Sequence, residues 1–204
     1  MAYRPHYRLL RGEYACYFPA LLEVWQLAQK KEPVILAIDG RCGSGKTGLA
    51  SLVRTLFPCS VFHLDNYYLP LDRRTRGWEQ TPGGNIDFDR FLAEVLLPVQ
   101  RGEAVCSSHY DCQRGAYLPP QKIPFHPLTI VEGSYSHHPR LAGCYHKKLF
   151  LTCGPEVQAR RLQKREGDYF SVFESRWIPL EEGYFSSCHV MQRSDLILDT
   201  GCFF

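Results

Sequence analysis

The sequence lacks the patterns that mark secreted, zinc-binding and membrane-spanning proteins. Its nine cysteines are scattered, odd in number and never spaced as Cys-x-x-Cys, which disfavours a zinc site or a disulfide framework and favours reduced thiols. No apolar run approaches the length of a membrane span, and residues 1–22 contain no apolar core of signal-peptide length. The final segment, GCFF, is one residue short of a C-a-a-X box, so we expect no lipid anchor. These features predict a cytoplasmic protein with no membrane partner.

Neither positive nor negative charge predominates in the sequence. The formal net charge is +3, and the absence of a long basic run argues against a nucleic-acid partner. Internal repeats, low-complexity tracts and long linkers are missing as well. With 45% hydrophobic and 22% charged residues among 204, the chain can bury one sizeable core. We therefore predict a single domain over residues 1–204, with an N-terminal extension and helix in residues 1–32 and the core in residues 33–200. Homo-oligomerisation is left open.

The strongest pattern is a glycine-rich segment between an apolar run, Val34–Ile38, and the amphipathic pattern of a helix that ends before Pro58. The segment Gly40–Thr47 matches G-x-x-x-x-G-K-[ST] at every fixed position. Glycines reach positive φ cheaply and let backbone amides converge on phosphates at a helix N-terminus. Lys46 would reach the β and γ phosphates of ATP, and Thr47 would place its hydroxyl on Mg²⁺. The predicted phosphate-binding residues are Gly40, Gly43, Ser44, Gly45, Lys46 and Thr47. The alternative, a glycine turn with a chance lysine, is disfavoured by the flanking strand and helix.

Further apolar runs alternate with helical patterns along the rest of the chain. The pattern predicts strands at Val34–Ile38, Ser60–Asp65, Leu128–Gly133, Lys147–Cys153 and Asp195–Thr200, with a further short strand at Ala104–Tyr110. It predicts helices at Phe18–Lys31, at Asp89–Gln100, where Pro98 should trim the end, and from Pro155 to about Arg165. Strands separated by helices indicate βαβ units. We therefore predict an α/β fold of the P-loop NTPase type, with a parallel β-sheet of about five strands flanked by helices.

Acidic residues lie at the carboxyl ends of three predicted strands, at Asp39, Asp65 and Glu132. In a doubly wound sheet, ligands bind beyond the carboxyl ends of the strands. Carboxylates there could hold Mg²⁺ or its waters, and one could orient and deprotonate a hydroxyl during phosphoryl transfer. A lone acid at a strand end is more often a cap. Two acids that end separate strands in a chain with a phosphate loop favour the functional interpretation.

Six segments in order resemble the uridine kinase and phosphoribulokinase family of P-loop kinases. They are IDGRCGSGKTGLA, HLDNYYLP, GGNIDFDRF, SHYDCQRG, TIVEGSYSHHP and QARRLQKRE. Together they span about Val34 to Asp199, which is most of the chain. The resemblance implies an ATP- and Mg²⁺-dependent kinase whose partners are ATP and a small-molecule acceptor.

The resemblance also implies roles for individual residues. Asp65 is similar to the family's general base and metal contact, and Glu132 to the second acid near Mg²⁺. Asp87 is similar to the acid that holds the acceptor ribose, although its spacing also fits a helix cap. Four further residues correspond to aromatic residues that line the acceptor pocket and to lid arginines that close on the phosphates: Tyr68, Tyr110, Arg161 and Arg165.

The chain departs from the uridine kinase pattern mainly around the acceptor. The segment NIDFDRF lacks the usual His-Pro, Gly115 stands where a histidine is common, and the segment after Arg165 is short. WIPLEEGYF is loosely similar to nicotinamide riboside kinases. The sequence therefore supports a phosphotransferase activity more strongly than it supports uridine as the acceptor. Nicotinamide riboside, pantothenate or a sugar phosphate are alternative acceptors. An ATPase-type switch would not need the acceptor-side acids Asp65 and Asp87. A degenerate, non-catalytic binding protein is disfavoured by the intact set Lys46, Thr47, Asp65 and Glu132.

Overall fold

The computed structural model describes residues 12–201, apart from the side chain of Glu13. The strands are β1 Val34–Gly40, β2 Ser60–His63, β3 Val105–Ser107, β4 Tyr110–Asp111, β5 Ala116–Tyr117, β6 Gln121–Ile123, β7 Leu128–Glu132, β8 Lys147–Thr152 and β9 Leu196–Asp199. The α-helices are α1 Phe18–Ala28, α2 Lys46–Leu56, α3 Phe88–Phe91, α4 Leu97–Gln100, α5 Pro139–Ala142, α6 Pro155–Glu166, α7 Phe170–Val172 and α8 Ile178–Ser187. Shorter 3-10 turns cover Gly12–Tyr17, Leu64–Tyr67, Leu71–Arg73, Trp78–Gln80 and Gly167–Tyr169.

The main sheet has five parallel strands in the order β2-β7-β1-β8-β9. Every residue of β1 is buried, which explains why its sequence is a continuous apolar run rather than an alternating one. Residues Leu36 and Ile38 face the layer that contains α1 and α2. Ile35 faces the opposite layer, which contains α3, α4 and α8. The predicted α/β fold and its parallel five-stranded sheet are confirmed.

Three predicted elements have different boundaries in the structure. β2 ends at His63, and Asp65 lies in the 3-10 turn that follows. The predicted strand Ala104–Tyr110 is divided between β3, which pairs with β6, and β4, which pairs with β5. The helix predicted over Phe18–Lys31 ends at Ala28.

Pro98 does not end its helix, contrary to the sequence-based expectation. Proline lacks an N–H group and its ring crowds the carbonyl four residues earlier. A π-helical turn, Leu92–Leu96, precedes α4 and widens the backbone there, so the helical path continues to Gln100. A second π-helical turn, Phe173–Trp177, precedes α8 and Pro179 in the same way.

Two further properties concern residues 12–201 as a whole. None of their helices combines the length and the apolar character that crossing a bilayer requires. Their eight cysteines are all free thiols; the ninth, Cys202, lies outside the described residues.

Candidate active site

The predicted phosphate loop joins the carboxyl end of β1 to the N-terminus of α2. Gly43 and Gly45 have φ values of 76° and 94°, a region that only glycine adopts without strain. The backbone of Gly45 caps α2, and its carbonyl accepts a hydrogen bond of 3.0 Å from the Tyr17 hydroxyl. A Cβ atom on Gly45 would lie 2.4 Å from that hydroxyl oxygen. The 3-10 turn that contains Tyr17 therefore packs against the loop and restricts position 45 to glycine.

A cavity of about 750 Å³ opens above this loop. Its lining includes the predicted residues Gly43, Gly45, Lys46, Thr47, Asp65, Tyr68, Tyr110, Glu132, Arg161 and Arg165. Predicted phosphate, metal, acceptor and lid residues therefore face one space. Three other predicted residues lie outside the lining: Gly40, Ser44 and Asp87.

Gly40 and Ser44 lie behind the phosphate loop rather than in the cavity. Gly40 has a φ of 140°, and a Cβ there would be 2.0 Å from the carbonyl oxygen of Leu151 in the neighbouring strand. Its place at the end of β1 therefore requires glycine for packing. The Ser44 side chain is fully buried, and its backbone N–H donates to Arg41 O at 3.0 Å. These two residues shape the loop, and their direct contact with phosphate stays a prediction.

The Lys46 ammonium folds back over the loop. Nζ donates to the carbonyl oxygens of Gly40 and Arg41 at 2.6 and 3.1 Å. No carboxylate of the described residues forms an ion pair with it, and its positive charge lowers the pKa of nearby Asp65. A cation held by backbone carbonyls at the mouth of an amide-rich loop is suited to pair with a phosphate anion.

The ends of β2, β7 and β1 bring hydroxyl and carboxylate oxygens together. Glu132 is 4% exposed, and its carboxylate accepts a hydrogen bond from Thr47 Oγ1 at 3.2 Å. It also contacts His63 Nδ1, which lies beside it in the β2–β7 register. This hydrogen bond raises the pKa of His63. Sequence reasoning missed His63, although its place two residues before Asp65 put it at the same strand end.

Asp65 faces the cavity from the turn after β2. The side chain is exposed to the cavity, and Oδ1 accepts a hydrogen bond of 3.3 Å from the Tyr68 hydroxyl. Although the carboxyl reaches the cavity, the protein packed around it limits its hydration and raises the pKa of Asp65 to about 6; Lys46 opposes this rise, while Glu132 and Glu181 add to it. An accessible carboxylate of this basicity is ionised at neutral pH and can accept a proton.

The oxygen atoms of Thr47, Asp65 and Glu132 would suit Mg²⁺, which prefers hard oxygen ligands. A hydroxyl and two carboxylates on one wall of the cavity fit that preference, and Thr47 and Glu132 already lie within hydrogen-bonding distance. The predicted metal role of these three residues is therefore chemically consistent with the site.

The two predicted lid arginines lie one turn apart on α6 and both line the cavity. Arg161 donates to Gly43 O at 3.1 Å and to Thr200 O at 2.8 Å. Arg165 pairs with the neighbouring Glu166 and lies 5.6 Å from the ring centroid of Phe173. Arg161 thus connects the phosphate loop to the end of β9, whereas Arg165 stays at the exposed rim.

Glu181 is a site residue that sequence reasoning did not identify. It is 4% exposed, and its carboxylate accepts hydrogen bonds from the Cys42 N–H at 2.8 Å and the Ser134 hydroxyl at 2.7 Å. Burial and the nearby Glu181 raise the pKa of the Cys42 thiol to about 12, so this thiol stays protonated. A carboxylate from α8 therefore holds one amide of the phosphate loop, 139 positions away along the chain.

Asp39, the third acid at a strand end, is buried within the protein. Its carboxylate accepts hydrogen bonds from the His137 N–H at 2.8 Å and the Tyr184 hydroxyl at 2.7 Å. Within residues 12–201, no cluster of three or more His, Cys, Asp or Glu residues forms a metal site.

Asp87 has the capping role that its spacing allowed. Its Oδ1 accepts a hydrogen bond of 3.1 Å from the Arg90 N–H at the start of α3, and Oδ2 lies 3.6 Å from Arg90 Nε. Since the carboxylate is used in this way and lies outside the cavity lining, the structure gives no support to its predicted contact with an acceptor ribose. The neighbouring Asn85 does line the cavity.

We predict that Asp87→Ala lowers the stability of the protein rather than its affinity for an acceptor. Loss of an N-cap typically costs about 1 kcal/mol, and Asn is as good a cap as Asp, so Asp87→Asn should lose much less. Thermal unfolding of the two variants tests the cap. Steady-state kinetics test the alternative: a selective rise in acceptor KM with both variants, at constant KM for ATP, would show that Asp87 binds the acceptor.

Comparisons with protein-family models and with curated proteins gave no match. Solved structures do match. A protein from Bacillus stearothermophilus described as a possible uridine kinase is 16% identical, with 89% of this chain and 96% of that chain covered and a TM-score of 0.67. A provisionally named fructose transport system kinase from Silicibacter sp. TM1040 is 18% identical, with 92% and 98% covered and a TM-score of 0.60. The chain therefore has the α/β P-loop NTPase fold.

Proposed function

We propose that this protein is an ATP-dependent kinase that transfers the γ-phosphate to a hydroxyl group of a small molecule. The observation that carries this proposal is the shared cavity: Lys46 and Thr47 of the phosphate loop open into the same space as the Asp65 carboxylate. A nucleotide held on the loop and a hydroxyl held at Asp65 would meet there. The similarity of fold to proteins named as kinases is consistent with this proposal.

In the proposed reaction, the loop amides and Lys46 hold the β and γ phosphates of ATP. Asp65 accepts the proton of the acceptor hydroxyl while that oxygen attacks the γ-phosphorus, and ADP leaves. Mg²⁺ at Thr47, Asp65 and Glu132 would neutralise phosphate charge when bound. Arg165 at the cavity rim, with Arg161, would stabilise charge on the transferring group.

For the acceptor, we propose a ribonucleoside or a ribose-like molecule, as the resemblance to uridine kinases implies. Tyr68 and Tyr110 both line the cavity and offer flat walls for a ring. The rings of Tyr110 and Tyr117 meet edge to face at 5.2 Å between centroids, which restrains the Tyr110 wall.

A nucleotide-driven switch is the second candidate function, because a phosphate loop alone would serve it equally well. A kinase and a switch differ in whether ATP turnover depends on an acceptor. We expect ADP release from ATP and Mg²⁺ to be slow for the protein alone and to rise at least tenfold with one member of a panel of nucleosides, sugars and other small alcohols. Mass spectrometry of the product would identify the phosphorylated hydroxyl. ATP hydrolysis that no panel member accelerates would favour the switch.

A further inference from the structure

Arg90 joins two walls of the cavity without lining the cavity itself. Its side chain comes from α3 and is 14% exposed. One terminal nitrogen, Nη1, donates to Ser108 O at 2.5 Å, and the other, Nη2, donates to Asn66 O at 3.4 Å. Asn66 directly follows Asp65, and Ser108 lies two residues before Tyr110. The guanidinium therefore connects the turn that presents the proposed base to the β4–β5 hairpin that presents the Tyr110 ring.

Two tyrosine rings lie against the same guanidinium. Its central carbon is 4.4 Å from the ring centroid of Tyr67 and 4.8 Å from that of Tyr117. Tyr67 is 1% exposed and belongs to the 3-10 turn that contains Asp65. Tyr117 pairs with Tyr110 across β4 and β5, and the two rings meet edge to face. The rings therefore link the same two segments that the carbonyls of Asn66 and Ser108 link.

These contacts suit arginine better than lysine. A guanidinium is planar, keeps its charge and offers five donors in a fixed fork, so it can bond two carbonyls while it stacks on aromatic rings. The carboxylates that pair with Arg90, on Asp87 and Glu94, both lie 3.6 Å from its nitrogens, which is beyond hydrogen-bonding distance. The carbonyls and rings therefore set the orientation of the side chain. A lysine ammonium would keep the charge and lose this set of contacts.

The hairpin that bears Tyr110 needs such a link to the rest of the protein. Its strands β4 and β5 have two residues each and form a two-stranded sheet that is separate from the main sheet. An isolated hairpin is marginally stable in water, so side-chain contacts must set its position beside the cavity. Arg90 contacts the hairpin at two points, the Ser108 carbonyl before β4 and the Tyr117 ring in β5.

We propose that Arg90 is a positioning residue, which holds the Tyr110 ring at a fixed distance from the Asp65 carboxylate and so sets the width of the acceptor pocket. This inference rests on the proposed kinase function and concerns the alignment of the acceptor rather than its identity. The guanidinium acts through Asn66, Ser108 and the tyrosine rings, since it lies outside the cavity lining. A displacement of about 1 Å between a base and its substrate can cost roughly 100-fold in rate.

Amide hydrogen exchange tests this role without requiring turnover. The full chain is saturated with ADP and Mg²⁺, and the exchange of Arg90→Lys is compared with that of the unmodified protein. We expect exchange in the hairpin, residues 108–118, to rise about fivefold or more, the equivalent of one lost hydrogen bond. Exchange in the phosphate loop, residues 40–47, should not change. The matched control is Arg101→Lys, at an exposed arginine that pairs with Glu103 at 2.8 Å, and it should alter neither segment.

Steady-state kinetics connect the hairpin to the reaction. The acceptor is uridine or, where another alcohol of the panel gives faster ADP release, that alcohol. Arg90→Lys should lower kcat/KM for the acceptor by about tenfold or more, while the KM for ATP changes by less than about twofold. Tyr117→Leu, at a residue that is 41% exposed, removes the ring contact and should cause part of the same loss. Because both changes break one link, the double variant should lose less than the product of the two single losses.

The inference is overturned if hairpin exchange is unchanged in Arg90→Lys, or if exchange rises equally in the phosphate loop. It is also overturned if the losses in kcat/KM multiply, or if the KM for ATP and the KM for the acceptor rise together, since a merely structural role would affect both substrates. Failure of the kinase proposal gives a different result. In that case no alcohol accelerates ADP release, and the exchange measurements still decide whether Arg90 holds the hairpin in place.

Discussion

Replacing Lys46 with alanine is expected to lower turnover by about 100-fold or more while the protein stays folded, as for other groups that stabilise transition-state charge. The ammonium contacts two loop carbonyls and no carboxylate of residues 12–201, so its charge is directed at a ligand rather than at the core. Without it, the β and γ phosphates lose their main cationic contact in the loop. Steady-state rates at saturating ATP and acceptor measure this loss.

Two controls make the Lys46 result specific. Lys30→Ala removes an exposed lysine whose contact is Glu32, 3.8 Å away, and should leave turnover unchanged. Thermal unfolding of Lys46→Ala should remain cooperative, which separates a catalytic loss from misfolding. A Lys46→Ala variant with nearly normal turnover at saturating ATP would show that the glycine-rich segment does not bind the transferred phosphate.

Replacing Asp65 with asparagine should lower kcat by about 10²- to 10⁴-fold, the usual contribution of a positioned general base. Asparagine keeps the shape of the side chain and can still accept the hydrogen bond from Tyr68, but it cannot take a proton. Nucleotide binding depends on the loop and should persist, as calorimetric titration with ADP would show. A kcat within about threefold of the unmodified protein would leave Asp65 without a role as base.

The controls for Asp65 separate charge from position. Asp72→Asn makes the same chemical change at an exposed residue outside the cavity lining and should have no effect on kcat. Tyr68→Phe removes the hydrogen bond to Asp65 but keeps its charge. We expect a smaller loss from Tyr68→Phe than from Asp65→Asn, because the base is still present although less well oriented. An equal loss of kcat from both variants would show that catalysis requires the hydrogen-bonded pair of Asp65 and Tyr68 rather than the carboxylate alone.

The sequence determined the parts of this protein that depend on short stretches of chain. The buried run Val34–Ile38, the glycines after it and the helical pattern beyond predicted β1, the loop and α2, because each pattern is local. The parallel order of strands then explained why Asp65 and Glu132 line one cavity, since the carboxyl ends of parallel strands share one edge of the sheet. Arg161 and Arg165 were predicted only from the resemblance to the kinase family, because their spacing of four positions by itself favours a solvated helix face.

Only the tertiary structure decided the contacts that join distant segments. Glu181 reaches the Cys42 amide across 139 positions, and no periodicity in the sequence indicates that pair. The backbone of Leu69 joins Arg74 to Asn85, since its carbonyl accepts from Arg74 Nε and its N–H donates to Asn85 O. Turn conformation rather than hydrophobic pattern sets the direction of such irregular backbone. Asp87 fitted both a cap and a ligand by spacing, and its contact with the Arg90 N–H favours the cap. Patterns along the chain report local backbone and burial, whereas the walls of the cavity are built by long-range packing.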